Sequence, residues 1–186
     1  MSTLLRSRYV LLAGIGLAGI ANAAGFDVGG VHLGMTQAEV QGVFGEKIHC
    51  TERSPSDKDP SQATCVSTAF ARNKTLSDTF AGQKTVIWYH ILDGRVARIS
   101  FLGLPSMAFD HIVKTMEKTY GKADVASRDL HVGIKSSEMV NKRATWRNEA
   151  GDEIVFDKYT AGNLDRAYLN FYSTSYPRSM RPAPVD

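Results

Sequence analysis

The chain has 186 residues, of which 22 are Lys or Arg and 19 are Asp or Glu, so its formal net charge is +3. A balance this close to neutral gives no argument from charge for a nucleic-acid partner or for attachment to an anionic membrane surface. The length suits one compact domain or two small fused repeats.

The first 23 residues have the pattern of a secretory signal peptide. Arg6 and Arg8 are followed by an apolar run from Tyr9 to Ile20 and then by the small residues Ala21-Asn22-Ala23. Cleavage after Ala23 would leave 20 basic and 19 acidic residues. Because the apolar run is too short for a comfortable membrane span, we expect a periplasmic or secreted protein without stable membrane insertion after cleavage; a retained N-terminal anchor is the alternative.

The stretch that follows predicts a short helix from about Gln37 to Phe44. Thr36 and Glu39 have the spacing of a capping box, in which each side chain accepts a hydrogen bond from the backbone N–H of the other residue. Gly45 would end the helix. A helix of this length is marginal by itself, so it has to pack on another element.

Cys50 and Cys65 are the two cysteines of the chain, and in an exported protein they predict one disulfide. The segment between them is polar, contains two prolines and predicts a surface loop, in which Asp57 and Asp59 would be solvated carboxylates. A metal site is disfavoured because His49 is the one soft ligand nearby and no second Cys/His pair follows.

A β-hairpin is predicted from Lys84 to Phe101, with Asp93-Gly94 as its two-residue turn. If Leu92 faces Arg95, the strands place one set of side chains on the core face and the next set on the opposite face. The predicted core face carries Val86, Trp88, His90, Leu92, Ala97, Ile99 and Phe101, and the opposite face carries Ile87, Tyr89, Ile91, Val96, Arg98 and Ser100.

A second helix is predicted to end at Gly121, because Phe109, Ile112, Val113, Met116 and Tyr120 follow the spacing of an amphipathic stripe. Four strands are then predicted, at Ala123–Val132, Lys142–Asn148, Glu153–Tyr159 and Arg166–Ser173.

The same elements recur along the chain. Leu33-Gly34-Met35 and Leu102-Gly103-Leu104 precede the two helices, and the strands repeat at offsets of 68 and 70 residues. We therefore predict an α+β fold built as a tandem repeat of a helix plus about four antiparallel strands. Its predicted boundaries are 1–23 for the signal peptide, 24–104 for the first repeat, 105–175 for the second, and 176–186 for a disordered tail.

This arrangement resembles the fold of the β-lactamase inhibitor proteins and that of the related small outer-membrane assembly lipoproteins. The residues that carry the resemblance are Leu33-Gly34-Met35-Thr36-x-x-Glu39-Val40 with Phe44-Gly45, the Cys50–Cys65 closure and the duplication. The resemblance implies binding through a sheet surface and no catalysis. The chain departs from the family because no cysteine follows the signal peptide for lipid attachment, the second repeat has no cysteine pair, and no residue matches the inhibitory loop.

Catalytic signatures are missing from the sequence: there is no Gly-x-Ser-x-Gly elbow, no His-Glu-x-x-His and no phosphate-binding glycine loop. We expect no cofactor and no metal. Asp110 and His111 are adjacent in a predicted helix and do not face each other, so they make no dyad. His32, His49 and His131 belong to other elements, and His90 on the predicted core face is interpreted as a structural residue.

One surface stands out as a candidate binding site, the sheet face opposite the core. Tyrosine and arginine are enriched at binding hot spots, and the candidate partner-binding residues are Tyr89, Arg98, Asp157, Tyr168, Asn170 and Tyr172. Cover of this face by other elements is the alternative. The sequence therefore favours a non-enzymatic module that binds a protein partner in the cell envelope, inhibition being one such role. An envelope hydrolase or a structural accessory of outer-membrane assembly is the rival reading.

Overall fold

The computed structural model describes residues 26–56, 58–132, 137–159 and 163–182. The predicted signal peptide lies outside the described residues. The helices are α1 Gln37–Phe44, α2 Thr68–Asn73 and α3 Phe109–Tyr120, with 3₁₀ turns at Gly45–Lys47, Ser106–Ala108 and Arg178–Met180. The strands are β1 Asp27–Val28, β2 Val31–His32, β3 Ile48–Glu52, β4 Ala63–Ser67, β5 Asp78–Phe80, β6 Gln83–Leu92, β7 Arg95–Leu102, β8 Asp124–Val132, β9 Ser137–Arg147, β10 Glu153–Asp157 and β11 Tyr168–Tyr172.

The protein is α+β with an antiparallel sheet, as predicted. Among the described residues nine strands form the main sheet, in the order β3-β4-β6-β7-β11-β10-β9-β8, with β5 paired to the start of β6. β1 and β2 form a separate two-stranded sheet. The pair β7–β11 joins the strands that precede α3 to those that follow it. No helix among the described residues is long and apolar enough to cross a membrane.

Both predicted helices are confirmed. The Glu39 side chain accepts from the Thr36 N–H over 2.7 Å and the Thr36 hydroxyl accepts from the Glu39 N–H over 3.3 Å, which completes the capping box. The apolar stripe of α3 is buried, and Phe109 stacks on Phe156 with ring centroids 4.7 Å apart. α1 and α3 therefore cover the same side of the sheet, called here the inner face, and the side away from them is the outer face.

The predicted hairpin of β6 and β7 is confirmed, and Ile99 and Phe101 of β7 lie in the core as predicted. Its register beyond the turn and the predicted core face of β6 are wrong. A bulge in β7 leaves Ala97 without a partner, so His90 lies opposite Arg98 and Tyr89 opposite Ile99. Because side chains alternate along a strand, one extra residue exchanges the faces. The inner face of β6 is Ile87, Tyr89 and Ile91, whereas Val86, Trp88 and His90 point to the outer face.

The predicted disulfide is present between Cys50 and Cys65, which lie directly opposite each other on β3 and β4. The predicted surface loop is therefore shorter than the segment between the cysteines, because both of its ends belong to strands. Asp57 lies outside the described residues.

The prediction of a disordered tail from residue 176 is wrong for residues 176–182. Tyr176 is fully buried, with its ring 5.2 Å from that of Tyr172, and Arg181 donates to the carbonyls of Ser173 and Tyr176. We call residues 173–182 the C-terminal segment. Its aromatic packing and charge-assisted hydrogen bonds hold it against the outer face, and residues 183–186 lie outside the described part.

Candidate functional site

The outer face is covered over one half of the sheet, from β4 to β11, and open over the other half, from β10 to β8. Over β4 and β6 it is covered by α2, whose Phe70 ring lies 6.3 Å from that of Trp88, and by the loop of residues 53–62. Over β7 and β11 it is covered by the C-terminal segment, whose Ser173 N–H donates to the Ala97 carbonyl. Over β8, β9 and β10 a pocket remains open between the strands and the C-terminal segment.

Arg98 joins the loop of residues 53–62, the C-terminal segment and β6 in the covered half. Its Nη2 donates to the Asp59 carboxylate over 2.9 Å and lies 3.0 Å from His90 Nδ1, and its Nη1 donates to the Tyr176 hydroxyl over 2.7 Å. Arg53 Nη1 donates to the same Asp59 oxygen over 3.0 Å. The cluster thus ties the loop and the C-terminal segment to the sheet, and the prediction that Asp59 is a solvated carboxylate is wrong.

The protonation states of this cluster follow from burial and charge. Burial raises the pKa of the Asp59 carboxyl, but hydrogen bonds from Ser61 and the charges of Arg98 and His90 outweigh it and lower that pKa to about 2. Burial and the charge of Arg98 lower the pKa of His90 to about 3, despite the opposing effect of Asp59. At neutral pH an ionised Asp59 therefore lies beside a neutral His90, an arrangement that stabilises the loop.

The predicted partner-binding residues are mostly buried. Tyr89 is 3 % exposed and lies on the inner face, where its ring is 5.7 Å from that of Phe44. On the outer face Asn170 and Tyr172 are fully buried, and Asp157 is 5 % exposed. The prediction that these four side chains are exposed for partner binding is therefore wrong, because α1, the neighbouring strands and the C-terminal segment cover them.

Arg98 and Tyr168 keep partial exposure on the outer face. Arg98 is nonetheless held by the cluster around Asp59. A role of either residue in partner binding stays a prediction.

The pocket has a volume of about 360 Å³ and a strongly basic lining. The floor of the pocket is formed by residues of three strands: Asp124 and Ala126 of β8, Arg143, Thr145 and Arg147 of β9, and Glu153 and Val155 of β10. One end is formed by Asn148 and Gly151, and the wall by Arg178, Arg181 and Pro182. The floor residues alternate along their strands, since Ala144 and Trp146 point to the inner face. The C-terminal segment closes the side towards β11.

Four arginines and two carboxylates, Asp124 and Glu153, line the pocket. Arg143 pairs with Asp157 of the outer face through two hydrogen bonds of 2.7 and 2.9 Å. Glu153 receives Arg147 Nε and Nη2 on one oxygen and Arg181 Nη1 on the other. One carboxylate is therefore shared by two guanidinium groups, and the exposed Arg178 has no ion-pair partner among the described side chains.

Buried polar atoms without a hydrogen-bond partner concentrate on the outer side of the molecule. Within the described residues these atoms are Ser61 Oγ, Trp88 Nε1, Arg98 Nε, Asn170 Nδ2, Tyr172 OH and Arg181 Nε. Each belongs to the outer face or to a segment that covers it. Such atoms cost about 1–3 kcal/mol each when they stay unpaired and are rare in native interiors.

The histidines do not assemble into a site in the described part of the chain. His49 lies exposed on the edge strand β3, His111 is exposed on α3, and His90 is buried beneath Asp59. No group of three or more metal-ligating residues occurs within the described ranges. The side chain of His131 is not among the described side chains.

The basic pocket was missed by the sequence analysis. Arg143 and Arg147 have the spacing that puts them on one face of the predicted strand Lys142–Asn148, and this signal was present in the sequence. Arg178 and Arg181 had no such signal, because they lie in a segment without apolar periodicity. Only the docking of that segment brings the four arginines together.

Comparisons of the chain with protein-family models, with curated proteins and with solved structures found no match.

Proposed function

We propose that this chain is an exported, non-enzymatic binding module that holds a protein partner in the cell envelope through the outer face of its sheet. The observation that carries the proposal is the pocket over β8, β9 and β10, where four arginines and two carboxylates line about 360 Å³ on an otherwise covered face. Concave sites with convergent polar groups are the usual places of recognition in proteins. No histidine lines this pocket, so the proposal of binding fits its residues better than hydrolysis does.

The proposal includes a duplicated scaffold, which the strand order supports. β3, β4, β6 and β7 stand in sequence order from one edge, and β8, β9, β10 and β11 stand in sequence order from the other edge. At the junction Ile99 pairs with Phe171 and Phe101 pairs with Leu169. Such reciprocal pairing is what a two-fold axis between Ser100 and Asn170 would produce.

The starts of α1 and of the 3₁₀ turn before α3 are fixed by the same contact. Arg95 Nη1 donates to the Gly34 carbonyl over 2.8 Å, and Arg166 Nη1 donates to the Gly103 carbonyl over 2.7 Å. This contact recurs at an offset of about 70 residues and supports the tandem repeat. The resemblance to β-lactamase inhibitor proteins implies a scaffold of this kind and binding by its sheet surface.

The experiment is photocrosslinking in the cell envelope of the native host. A benzophenone amino acid at Thr145, on the pocket floor, should crosslink one protein partner, and Arg178→Glu should remove that crosslink. The matched position is Lys118, which is exposed on α3 on the other side of the sheet. Equal crosslinking from Lys118, or no crosslink from Thr145, would overturn the proposal.

The structure also decides which variants suit this experiment. Charge reversal at Arg98 would strand the buried Asp59 carboxylate, and truncation of the fully buried Tyr172 would open a cavity beneath the C-terminal segment. Both changes would disturb folding. Arg178 is exposed, so its substitution reports on binding.

A further inference from the structure

We infer that the basic pocket binds the carboxylates of an acidic polypeptide segment. The inference rests on the proposed function, because it names the chemistry of the partner at the same site. Three observations support it. The lining has more positive than negative charges, and some of its guanidinium groups have donors that no described carboxylate uses. In the other half of the sheet, the Asp59 carboxylate binds to an arginine of the same outer face.

The charge balance of the lining favours an anion. Each guanidinium carries one positive charge at all accessible pH values. Glu153 is the shared acceptor of Arg147 and Arg181, whereas Asp157 is used by Arg143. In the lining as a whole the four arginines exceed the two carboxylates Asp124 and Glu153 by two charges, and Arg178 is the one of the four without an ion-pair partner among the described side chains.

The same side chains have hydrogen-bond donors to offer. Arg147 contacts Glu153 through Nε and Nη2 while its side chain stays 70 % exposed, so Nη1 faces no carboxylate in that pair. Arg178 is exposed and makes no ion pair with a described side chain. A planar guanidinium fork matches a carboxylate with two parallel hydrogen bonds, so the exposed guanidinium groups of Arg147 and Arg178 suit a carboxylate ligand.

The covered half of the outer face shows how a carboxylate binds there. Asp59 is carried by a loop that lies across the sheet, and one of its oxygens accepts from Arg53 over 3.0 Å and from Arg98 over 2.9 Å. The carboxylate is therefore presented by a stretch of polypeptide. Over β8, β9 and β10 the arginines are present and no loop of the described chain supplies the corresponding carboxylate, which points to an acidic segment from a partner.

A small inorganic anion would use the same donors, and the experiment separates the two. Fluorescence anisotropy would compare a labelled peptide of six glutamates with the matched peptide of six glutamines. Inorganic phosphate, titrated up to concentrations that exceed the peptide by about a thousandfold, serves as competitor. We expect the glutamate peptide to bind about tenfold or more tightly than the glutamine peptide, with affinity that falls as salt rises.

The variants locate the binding. Arg178→Glu and Arg147→Ala should each weaken binding of the glutamate peptide about tenfold, because each removes a fork that faces the pocket. Lys118→Glu changes the net charge of the protein as Arg178→Glu does but lies on α3, so it should alter binding by less than about twofold. Thermal melting followed by circular dichroism verifies that each variant is folded before its affinity is measured.

Three results would overturn the inference. These are equal affinities for the two peptides, an equal loss from Lys118→Glu and Arg178→Glu, and an Arg178-dependent binding of phosphate without binding of the glutamate peptide. The proposed function is judged separately, by the crosslink from Thr145. If that crosslink persists while the glutamate peptide fails to bind, the outer face binds a partner by other chemistry; if the crosslink is lost as well, the proposed function fails too.

Discussion

Ser100 on β7 lies directly opposite Asn170 on β11, and its hydroxyl donates to the Asn170 side-chain oxygen over 2.7 Å. This polar pair is located where the strands that precede α3 meet those that follow it. Asn170 is fully buried, and its Nδ2 has no partner among the described residues. Besides the backbone pairing of β7 and β11, the junction therefore contains one side-chain hydrogen bond whose acceptor is fully buried.

Loss of this hydrogen bond should destabilise the whole sheet. Ser100→Ala leaves the buried Asn170 oxygen without its donor, so we expect the free energy of unfolding to fall by about 1–2 kcal/mol. Urea denaturation measures the change. Ser127→Ala on the exposed surface of β8 is the matched control, with an expected effect within about 0.5 kcal/mol; equal effects of the two substitutions would show that the hydroxyl at the junction contributes nothing specific.

Gly34 and Gly42 should respond to alanine with opposite signs. Gly34 has a φ of +89°, which an L side chain rarely adopts, and no atom lies within 4 Å of the position that a Cβ would occupy. Gly34→Ala should therefore cost about 1–2 kcal/mol through backbone strain alone. Gly42 lies inside α1 with open space around it, so Gly42→Ala should add about 0.5–1 kcal/mol by helix propensity. Thermal unfolding compares both with the wild type, and a neutral Gly34→Ala would contradict the role of this turn.

Local signals in the sequence were sufficient for the helices, the hairpin turn and the disulfide. The capping box of Thr36 and Glu39, the Asp93-Gly94 turn and the stripe of α3 each lie within a few residues. The face of β6 could not be predicted in the same way, because the bulge at Ala97 is favoured by packing across the sheet and has no short motif. In the structure Ile87, Tyr89 and Ile91 lie on the inner face and belong to the main core.

The candidate site was less accessible to sequence analysis than the fold. The alternation Arg143, Thr145, Arg147 predicts one shared strand face, but which face it is depends on the helices. Arg181 was assigned to a disordered tail because a segment with prolines and few apolar residues lacks a core pattern. Its docking depends on contacts with distant residues, among them the Arg181 guanidinium over the Tyr172 ring at 5.3 Å.

The disulfide should be complete and stabilising. Cys65 is fully buried and pairs with Cys50 across a sequence separation of 15 residues. In protein purified from an oxidising compartment, intact mass after alkylation without reductant should show no label, and reduction in denaturant should expose both thiols. Replacement of both cysteines by alanine should lower the free energy of unfolding by about 3 kcal/mol, the chain-entropy cost for a loop of this length. Alkylation without reductant would contradict the prediction.

The cluster around Arg98 should make stability depend on pH through His90. Burial and the charge of Arg98 lower the pKa of His90 from 6.5 to about 3 in the folded protein. Between these values the unfolded chain binds a proton that the folded protein does not bind, so stability is complete above pH 6.5 and is lost as the pH falls towards 3. The Asp59 carboxyl, whose pKa is lowered from 3.8 to about 2, adds a loss in the same direction at lower pH.

Urea denaturation at intervals between about pH 7 and pH 4 measures this dependence, and the slope for one proton is limited to about 1.4 kcal/mol per pH unit. His90→Gln removes the titrating group, so its stability should vary less with pH over this interval than that of the wild type. His111→Gln is the matched control, because His111 is exposed on α3 and makes no contact with the cluster. The assignment to His90 is refuted if His90→Gln retains the pH dependence of the wild type, since the proton would then bind elsewhere in the unfolded chain.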